Sequence, residues 1–425
     1  MVPPPSQQEQ QTLGIQLQDQ EPINTGGYKQ VWNATLLHNG LPCICTGERT
    51  SPSADTELAS LQRLASLPPH PNVVALLNRL DANGCRYLVQ TVAGVEEVFD
   101  QIMNAGGGIG EPRALAIFSH MVCGLRHMHR CGVAHRDIKL ENAMVAADGS
   151  CRLIDFGLSL VVPESAPPQP PIMAADFTTV GRFGTQSYIP PEMMNDIMYD
   201  ARLADVWSLG ICLFSLVAGF FPFDQALIAD FRFQLAVQTQ NQGGSTVTAL
   251  YALYNLPIPM SPSLIVLLDG MLTINAGARL TLDDVTASEW LIPASAVATA
   301  HGQVRLISPG RLRAIDHWRI LRRAAAIRSI INYWDSLTGH LWEPGGVRAQ
   351  ENMEEAMADL AGGMVEVVVE EEELMTYRCL SASAPPCDVE ALVAVMLTQL
   401  DERPKPPPLE RQKAQYGHAM GAAES

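Results

Sequence analysis

The sequence predicts an α+β protein of two lobes, in which a small β-rich lobe precedes a larger helical lobe. From about residue 23 to residue 92, short apolar runs alternate with turns such as Asn83-Gly84, as in strands joined by hairpins. From about residue 96 to residue 291, apolar residues recur mostly at helical spacing. Two packed units of different structure leave a cleft between them, where ligands usually bind.

The size, charge and cysteines of the chain restrict its class of function. Its 425 residues carry a net charge of −17, which argues against general nucleic-acid binding. It has no stretch of the roughly 20 uninterrupted apolar residues that a membrane span needs, and its first residues do not resemble a signal peptide. We therefore expect a cytoplasmic protein, with the nucleus left open. Nine scattered cysteines indicate reduced thiols rather than disulfides or a zinc site.

The small lobe is predicted to follow a disordered leader. Residues 1–20 are rich in Pro and Gln, which is typical of disorder. Within the small lobe, at about 21–92, one helix is expected to interrupt the strands, because leucines recur at helical spacing from residue 58 to residue 67. Ser53 or Asp55 is the expected N-cap of this helix.

The large lobe, at about 93–291, is predicted to be mostly helical. Two apolar stripes mark two of its helices, one at Ile117, Met121, Leu125 and Met128, the other at Val206, Leu209, Leu213 and Leu216. After residue 292 a basic amphipathic stretch, an acidic stretch and a polar tail follow one another. We expect residues 292–425 to be a helical, regulatory region with a partly disordered tail.

Three short motifs occur in order along the large lobe. They are HRDIKLEN at residues 135–142, DFG at 155–157 and PPE at 190–192. The three resemble the catalytic-loop, metal-binding and Ala-Pro-Glu motifs of the protein kinase family, with Pro190 in place of the alanine. The resemblance covers roughly residues 23–291. It implies the two-lobed kinase fold and transfer of the γ-phosphate of ATP, with Mg²⁺, to a protein substrate.

The resemblance also assigns catalytic roles. Asp137 would accept the proton of the substrate hydroxyl, and Lys139 would neutralise the phosphoryl group in transit. Asn142 and Asp155 would hold Mg²⁺ between the phosphates. A lysine two residues after the catalytic aspartate, together with Thr185 further on, is similar to the serine/threonine class of kinases rather than the tyrosine class.

The glycine-rich loop departs from the family pattern. The family has G-x-G-x-x-G-x-V over the phosphates, whereas this chain has NTGGYKQV at residues 24–31. Gly26 keeps the middle glycine, and Gly27 and Val31 are the other expected nucleotide contacts of the loop. Lys29 replaces the third glycine.

The lysine that kinases carry on the following strand is missing. Counting from the loop places Thr46 at that position, and the lysines of the chain are only Lys29, Lys139, Lys405 and Lys413. Two hypotheses follow. The chain is a pseudokinase that serves as a scaffold or binding module with weak or no turnover, or Lys29 reaches the phosphates from the loop. The second arrangement resembles that of the with-no-lysine kinases, and the helix residue Glu57 would then pair with Lys29.

The expected adenine pocket lies where the lobes join. The backbone from Thr91 to Ala93 would offer hydrogen bonds to the ring. Ile44 falls where kinases carry a small residue above the ring, but a shift of one residue would place Cys43 or Cys45 there instead.

Regulation and partners are expected at three places. Thr178 and Thr179 are candidate phosphosites whose phosphate would pair with Arg136; the alternative is that they are plain loop residues. Glu97 and Glu141 match positions that contact basic substrates in related kinases.

Residues 311–337 form a basic amphipathic stretch that is similar to autoinhibitory or calmodulin-binding segments. The alternative is a helix that packs on the large lobe or on the acidic stretch.

Overall fold

A six-stranded antiparallel sheet forms the small lobe. In the computed structural model, residues 2–25, 29–163, 174–291, 406–407 and 409 are described. The strands of this part are β1 Ile15–Leu17, β2 Asn24–Thr25, β3 Lys29–Leu36, β4 Pro42–Arg49, β5 Leu76–Ala82, β6 Cys85–Thr91, β7 Glu96–Glu97, β8 Val133–Ala134, β9 Ala143–Val145, β10 Cys151–Leu153, β11 Leu160–Val161, β12 Thr178–Thr179 and β13 Tyr199–Asp200. Its α-helices are α1 Gln7–Leu13, α2 Pro52–Ala65, α3 Val98–Ala105, α4 Glu111–Arg130, α5 Pro191–Met194, α6 Ala201–Ala218, α7 Phe231–Asn241, α8 Thr246–Tyr254, α9 Pro262–Met271 and α10 Leu282–Thr286.

The small-lobe sheet has the order β1-β3-β4-β6-β5, and β2 pairs with the other end of β3. The predicted Asn83-Gly84 turn joins β5 to β6, with both residues at positive φ. Alternate residues of the central strands face opposite sides. Cys43, Cys45 and Tyr87 point to one side, which we call the outer face, and the intervening residues point to the cleft.

The N-terminal residues fold onto this outer face, so the prediction of a disordered leader over residues 1–20 is wrong. Ser6 and Glu9 cap each other's backbone at the start of α1. β1 then pairs with the far end of β3. The buried apolar residues of the outer face are Val2, Leu13, Ile15, Leu17, Trp32, Ala34, Cys43, Cys45, Cys85, Tyr87 and Val89, and we call them the outer cluster. The Pro and Gln content hid the few apolar residues that cover the sheet.

Helix α2 begins earlier than predicted. Its N-cap is Ser51, whose hydroxyl accepts a hydrogen bond from the backbone of Ala54, and neither Ser53 nor Asp55 caps the helix. Pro52 follows the cap, where its missing N–H costs nothing and its fixed φ suits the first turn. The earlier start places Asp55 and Glu57 inside the helix, where their carboxylates contact the sheet.

The large lobe is helical, and its two predicted helices are present as α4 and α6. By length and composition alone, α6 is the one helix of the described residues that could cross a membrane, and most of it is buried in the core. Glu192 and Arg279 form a buried ion pair in this lobe, with two short contacts of 2.6 and 2.9 Å. Residues 292–405 lie outside the described residues.

Candidate active site

The HRDIKLEN motif forms a loop between β8 and β9. The Asp205 carboxylate of α6 accepts hydrogen bonds from the backbone N–H groups of His135 and Arg136, at 2.9 and 2.7 Å. Asp205 is fully buried and also pairs with His129 at 2.8 Å. Arg136 has a positive φ of 61°. A buried carboxylate beneath the loop therefore fixes a backbone turn that presents Asp137 to the cleft.

Asp137 lies at the centre of a small polar network. Its Oδ2 is 2.8 Å from the Lys139 ammonium and accepts a hydrogen bond of 2.9 Å from the Asn142 amide. The Thr185 hydroxyl donates to Oδ1 at 3.3 Å and accepts from Lys139 at 3.1 Å. The sequence predicted each of these four residues for the site, and the structure brings them together.

Burial sets the electrostatics of this network. It raises the pKa of Asp137, and the Lys139 ammonium opposes that rise. Burial works against the charge of Lys139, but the carboxylates of Asp137, Glu141 and Asp155 together outweigh it, so the pKa of Lys139 is raised. The carboxylate and the ammonium are 2.8 Å apart, which suits proton transfer and charge neutralisation at one place.

The two predicted metal ligands lie close together. The backbone carbonyl of Asn142 accepts a hydrogen bond of 3.0 Å from the N–H of Ile154, the residue before Asp155. The side-chain nitrogen of Asn142 donates to the backbone carbonyl of Asp137. The side-chain oxygen of Asn142 is therefore left to bind a cation. The Lys29 ammonium lowers the pKa of Asp155. One carboxylate and one amide oxygen fit Mg²⁺, which binds few protein ligands and completes its shell with phosphates and water.

Lys29, at the start of β3, reaches into the same cleft. Its ammonium is 2.7 Å from each of the two Glu57 carboxylate oxygens and 3.6 Å from Asp155. Burial opposes its charge, yet Asp155, Glu57 and Glu48 together raise the pKa of Lys29. Lys29 therefore carries a positive charge beside a predicted metal ligand.

The register of the sheet explains how Lys29 comes to face the cleft. Thr46, which stands at the position of the missing lysine, is opposite Val31 on β3. Lys29 is two residues before Val31, so both side chains point to the same face of the sheet. The side chain of Lys29 therefore leaves the same face of the sheet as the usual lysine, from the neighbouring pair of opposed residues. Gly26 and Gly27 lie outside the described residues.

A sequence profile described as the protein kinase domain matches residues 45–291. The match covers more than half of the chain and includes the catalytic loop, Asp155 and Glu192. The chain belongs to the protein kinase family. The match begins within β4, after the unusual loop that carries Lys29.

Curated kinases resemble this kinase over the same region. It is 37% identical to CBL-interacting protein kinase 22 of Oryza sativa subsp. japonica over 193 residues, which are 45% of this chain and 41% of that protein. It is 36% identical to Testis-specific serine/threonine-protein kinase 3 of Mus musculus over 166 residues, which are 39% of this chain and 58% of that protein. It is 29% identical to Sperm motility kinase 2A of Mus musculus over 240 residues, which are 56% of this chain and 42% of that protein. The aligned parts span less than two thirds of each relative.

Hydrogen bonds join helix α2 of the kinase to the DFG motif and to the residues just after it. The Ser53 hydroxyl donates to the carbonyl of Gly157 at 3.0 Å, and the hydroxyls of Ser60 and Ser159 are 2.5 Å apart. The contacts lie at both ends of the stretch that carries Glu57. They hold this part of the helix against the residues that follow Asp155.

At the expected adenine pocket, the structure shows whether Ile44 or one of its neighbours faces the cleft. Cys43 and Cys45 pack in the outer cluster, so Ile44 faces the cleft. Thr91 ends β6, and its hydroxyl accepts a hydrogen bond of 3.0 Å from the backbone of Ala75. The carbonyl of Ala93 accepts one of 2.9 Å from Arg152. This carbonyl is therefore already engaged within the protein.

Arg136 contacts residues between the DFG and PPE motifs. Its guanidinium donates to the carbonyls of Leu158 and Ser159, at 2.7 and 3.0 Å, and stacks 4.0 Å above the ring of Phe183. Burial lowers its pKa. Thr178 is exposed and Thr179 is half-buried in β12. Phosphorylation of either residue remains a prediction.

The two glutamates predicted to meet basic substrates differ in their surroundings. Glu141 is half-buried and accepts a hydrogen bond of 3.1 Å from the Tyr188 hydroxyl, and burial raises its pKa. Glu97 is the N-cap residue of α3, without a side-chain capping bond. Their contact with substrate remains a prediction.

Two residues of the site were missed by reasoning from the sequence. Glu48 and Arg86 are both charged and both buried on the cleft face of the small-lobe sheet. Arg86 stands between Cys85 and Tyr87 in β6. This was the available signal, because a charged residue on the inward side of a buried strand needs a partner. Glu48, between Gly47 and Arg49, offers no such pattern. The partners became clear only from the strand register.

Proposed function

We propose that this kinase transfers the γ-phosphate of MgATP to Ser or Thr hydroxyls of proteins, with Lys29 as its phosphate anchor. The observation that supports the anchor is the position of the Lys29 ammonium, 2.7 Å from Glu57 and 3.6 Å from Asp155. An ammonium beside a metal-binding carboxylate is where the phosphates of a nucleotide need a cation. The second hypothesis is a scaffold without turnover, and the transfer assay below distinguishes the two.

Each residue then has a distinct task. Asp137 accepts the proton of the substrate hydroxyl and orients its oxygen. Lys139, 2.8 Å away, neutralises charge that develops on the transferred group. Asn142 and Asp155 would hold Mg²⁺, which neutralises the phosphates when it is bound. Glu57 keeps Lys29 directed into the cleft.

The choice of Ser and Thr as acceptors is supported by Thr185. Its hydroxyl bridges Lys139 and Asp137, so Thr185 occupies the space next to the catalytic carboxylate. A short side chain brings its hydroxyl to that carboxylate more readily than a long phenol does. The name of one relative, Testis-specific serine/threonine-protein kinase 3, is consistent with this choice.

The test is a phosphate-transfer assay with a mixture of Ser, Thr and Tyr peptides. We expect the wild type to label Ser and Thr, and Asp137→Asn to lower kcat by about 10²–10⁴. Arg49→Met is a control away from the catalytic loop, because Arg49 is an exposed residue of β4 and its substitution is expected to leave the rate within about twofold. A wild type that transfers no phosphate, also after treatment with an activating kinase, would favour the scaffold.

We also propose that residues 311–337, which lie outside the described residues, bind calmodulin or the kinase domain itself. Their basic amphipathic sequence supports the proposal. Trp318→Ala in the full chain is expected to weaken calmodulin binding at least tenfold. Unchanged affinity, or no binding by the wild type, would reject calmodulin as the partner.

A further inference from the structure

Four charged residues form one row across the small-lobe sheet. Lys29 on β3 is opposite Glu48 on β4, and Glu48 is opposite Arg86 on β6. Arg86 is in turn opposite Asp81 on β5. Directly opposed residues point to the same face of a sheet, and the sign of the charge alternates along the row. We call these four residues the charged row.

Both cations of the charged row contact carboxylates of α2. Lys29 holds Glu57 at 2.7 Å. Arg86 holds Asp55, with 2.7 Å between Nη1 and Oδ1. Asp55 precedes Glu57 by two residues in the first half of the helix. The sheet therefore binds the same stretch of α2 through two ion pairs.

In the ion pair between Arg86 and Asp55, Arg86 is buried and Asp55 is exposed. The Arg86 side chain is 8% exposed, whereas Asp55 is 70% exposed. Asp81 binds the other edge of the guanidinium, at 2.8 and 3.2 Å, so one nitrogen remains directed at α2. Glu48 is buried in the row between Lys29 and Arg86, and one of its oxygens has no hydrogen-bond partner within the described residues.

We propose that Arg86 is a positioning residue for the phosphate anchor: it binds Asp55 and thereby keeps α2 where Glu57 reaches Lys29. The inference rests on the proposed function, because it concerns the same anchor. A helix that moves away from the sheet takes Glu57 with it. Lys29 then has Glu48 as its remaining sheet carboxylate, next to it in the row.

The proposal has a kinetic consequence. If only the docked position of α2 binds MgATP well, weaker docking lowers the fraction of competent molecules and raises the apparent KM for ATP. Saturating MgATP draws Lys29 and Glu57 back into place, so kcat is largely kept. Simple loss of folded protein would lower kcat instead and leave KM unchanged.

The first test compares Asp55→Asn with Asp283→Asn. Asp283 forms an exposed ion pair with Arg126 in the large lobe, so its loss removes a similar contact away from α2. We expect Asp55→Asn to raise KM for ATP about three- to tenfold with kcat within twofold, and Asp55→Glu to restore most of the affinity. The control is expected to change neither constant. Equal KM values for Asp55→Asn and the control would overturn the proposal.

A double-mutant cycle assigns the effect to Arg86. Asp55→Asn also removes a negative charge near the start of a helix, which weakens the helix itself. If Asp55 acts through Arg86, its substitution adds little in an Arg86→Gln background. Full additivity of the two substitutions in KM would contradict the proposal.

Hydrogen exchange separates this inference from the proposed function. Faster amide exchange over residues 52–65 in Asp55→Asn, but not in Asp283→Asn, would show that the ion pair docks α2 even if the wild type transfers no phosphate. Absence of transfer by the wild type would then reject the proposed function alone. Unchanged exchange in an active Asp55→Asn enzyme would reject the positioning role alone.

Discussion

Glu48 is a carboxyl group of the site whose pKa lies close to neutral pH. Burial and the nearby Glu57 carboxylate raise its pKa to about 7, against the opposing effect of Lys29. Arg86 faces it from β6 and Asp155 from the large lobe. Glu48 therefore gains or loses its charge within the physiological range, in contrast with Lys29, which stays protonated.

This balance predicts a pH dependence of stability. The pKa of Glu48 is higher in the folded protein than in the unfolded chain, so its proton stabilises the fold at low pH and this contribution is lost as the pH rises through about 7. We expect Glu48→Gln to remove about 1–3 kcal/mol of the pH dependence between pH 5 and pH 8. Urea unfolding of both proteins across this range measures it. Parallel pH profiles would contradict the assignment.

At the scale of elements, the N-terminal segment is part of the small lobe. The hydroxyl of Tyr87 donates to the carbonyl of Pro3 at 3.0 Å, and the indole of Trp32 donates to the carbonyl of Gln20 at 3.1 Å. Together with the pairing of β1 and β3, these bonds hold the segment against the outer cluster. The apolar outer face would otherwise be in contact with water.

Leu13 provides the test of this packing. Its side chain is 1% exposed within the outer cluster, so Leu13→Ala is expected to lower the free energy of unfolding by about 2–4 kcal/mol. Gln8→Ala, on the exposed side of the same helix, is the control and is expected to change it by less than about 0.5 kcal/mol. Chemical denaturation measures both. A Leu13→Ala variant as stable as the control would mean that the segment does not contribute to the lobe.

The sequence predicted the regular elements better than the contacts between them. Apolar periodicity located α4 and α6, and the Asn83-Gly84 dipeptide located one hairpin. The start of α2 was missed because Ser51, Ser53 and Asp55 are all good caps, and only Pro52 distinguishes the first.

The catalytic residues were predictable because a motif fixes their spacing. Asp137, Lys139 and Asn142 lie within one loop, so their proximity follows from the chain itself. The charged row was not predictable in the same way. Glu48 and Arg86 are 38 residues apart in sequence and meet only through the pairing of β4 with β6, and strand register depends on the whole sheet.

At the scale of the whole molecule, the cleft combines charges from both lobes. The small lobe supplies Lys29 and Glu57, and the large lobe supplies Asp137 and Asp155. The contacts of Ser53 with the DFG motif and of Ser60 with Ser159 join α2 to the large lobe. The position of α2 therefore couples the anchor to the catalytic loop, and movement of either lobe would change the distance between Lys29 and Asp155.

The rate of phosphate transfer by Lys29→Met tests the central claim most directly. We predict that kcat/KM for ATP falls at least about a hundredfold, and that a second substitution, Thr46→Lys, restores part of it by placing an ammonium one row away on the same face. Circular dichroism of Lys29→Met checks that the variant is folded. Transfer by Lys29→Met at the wild-type rate would contradict the account.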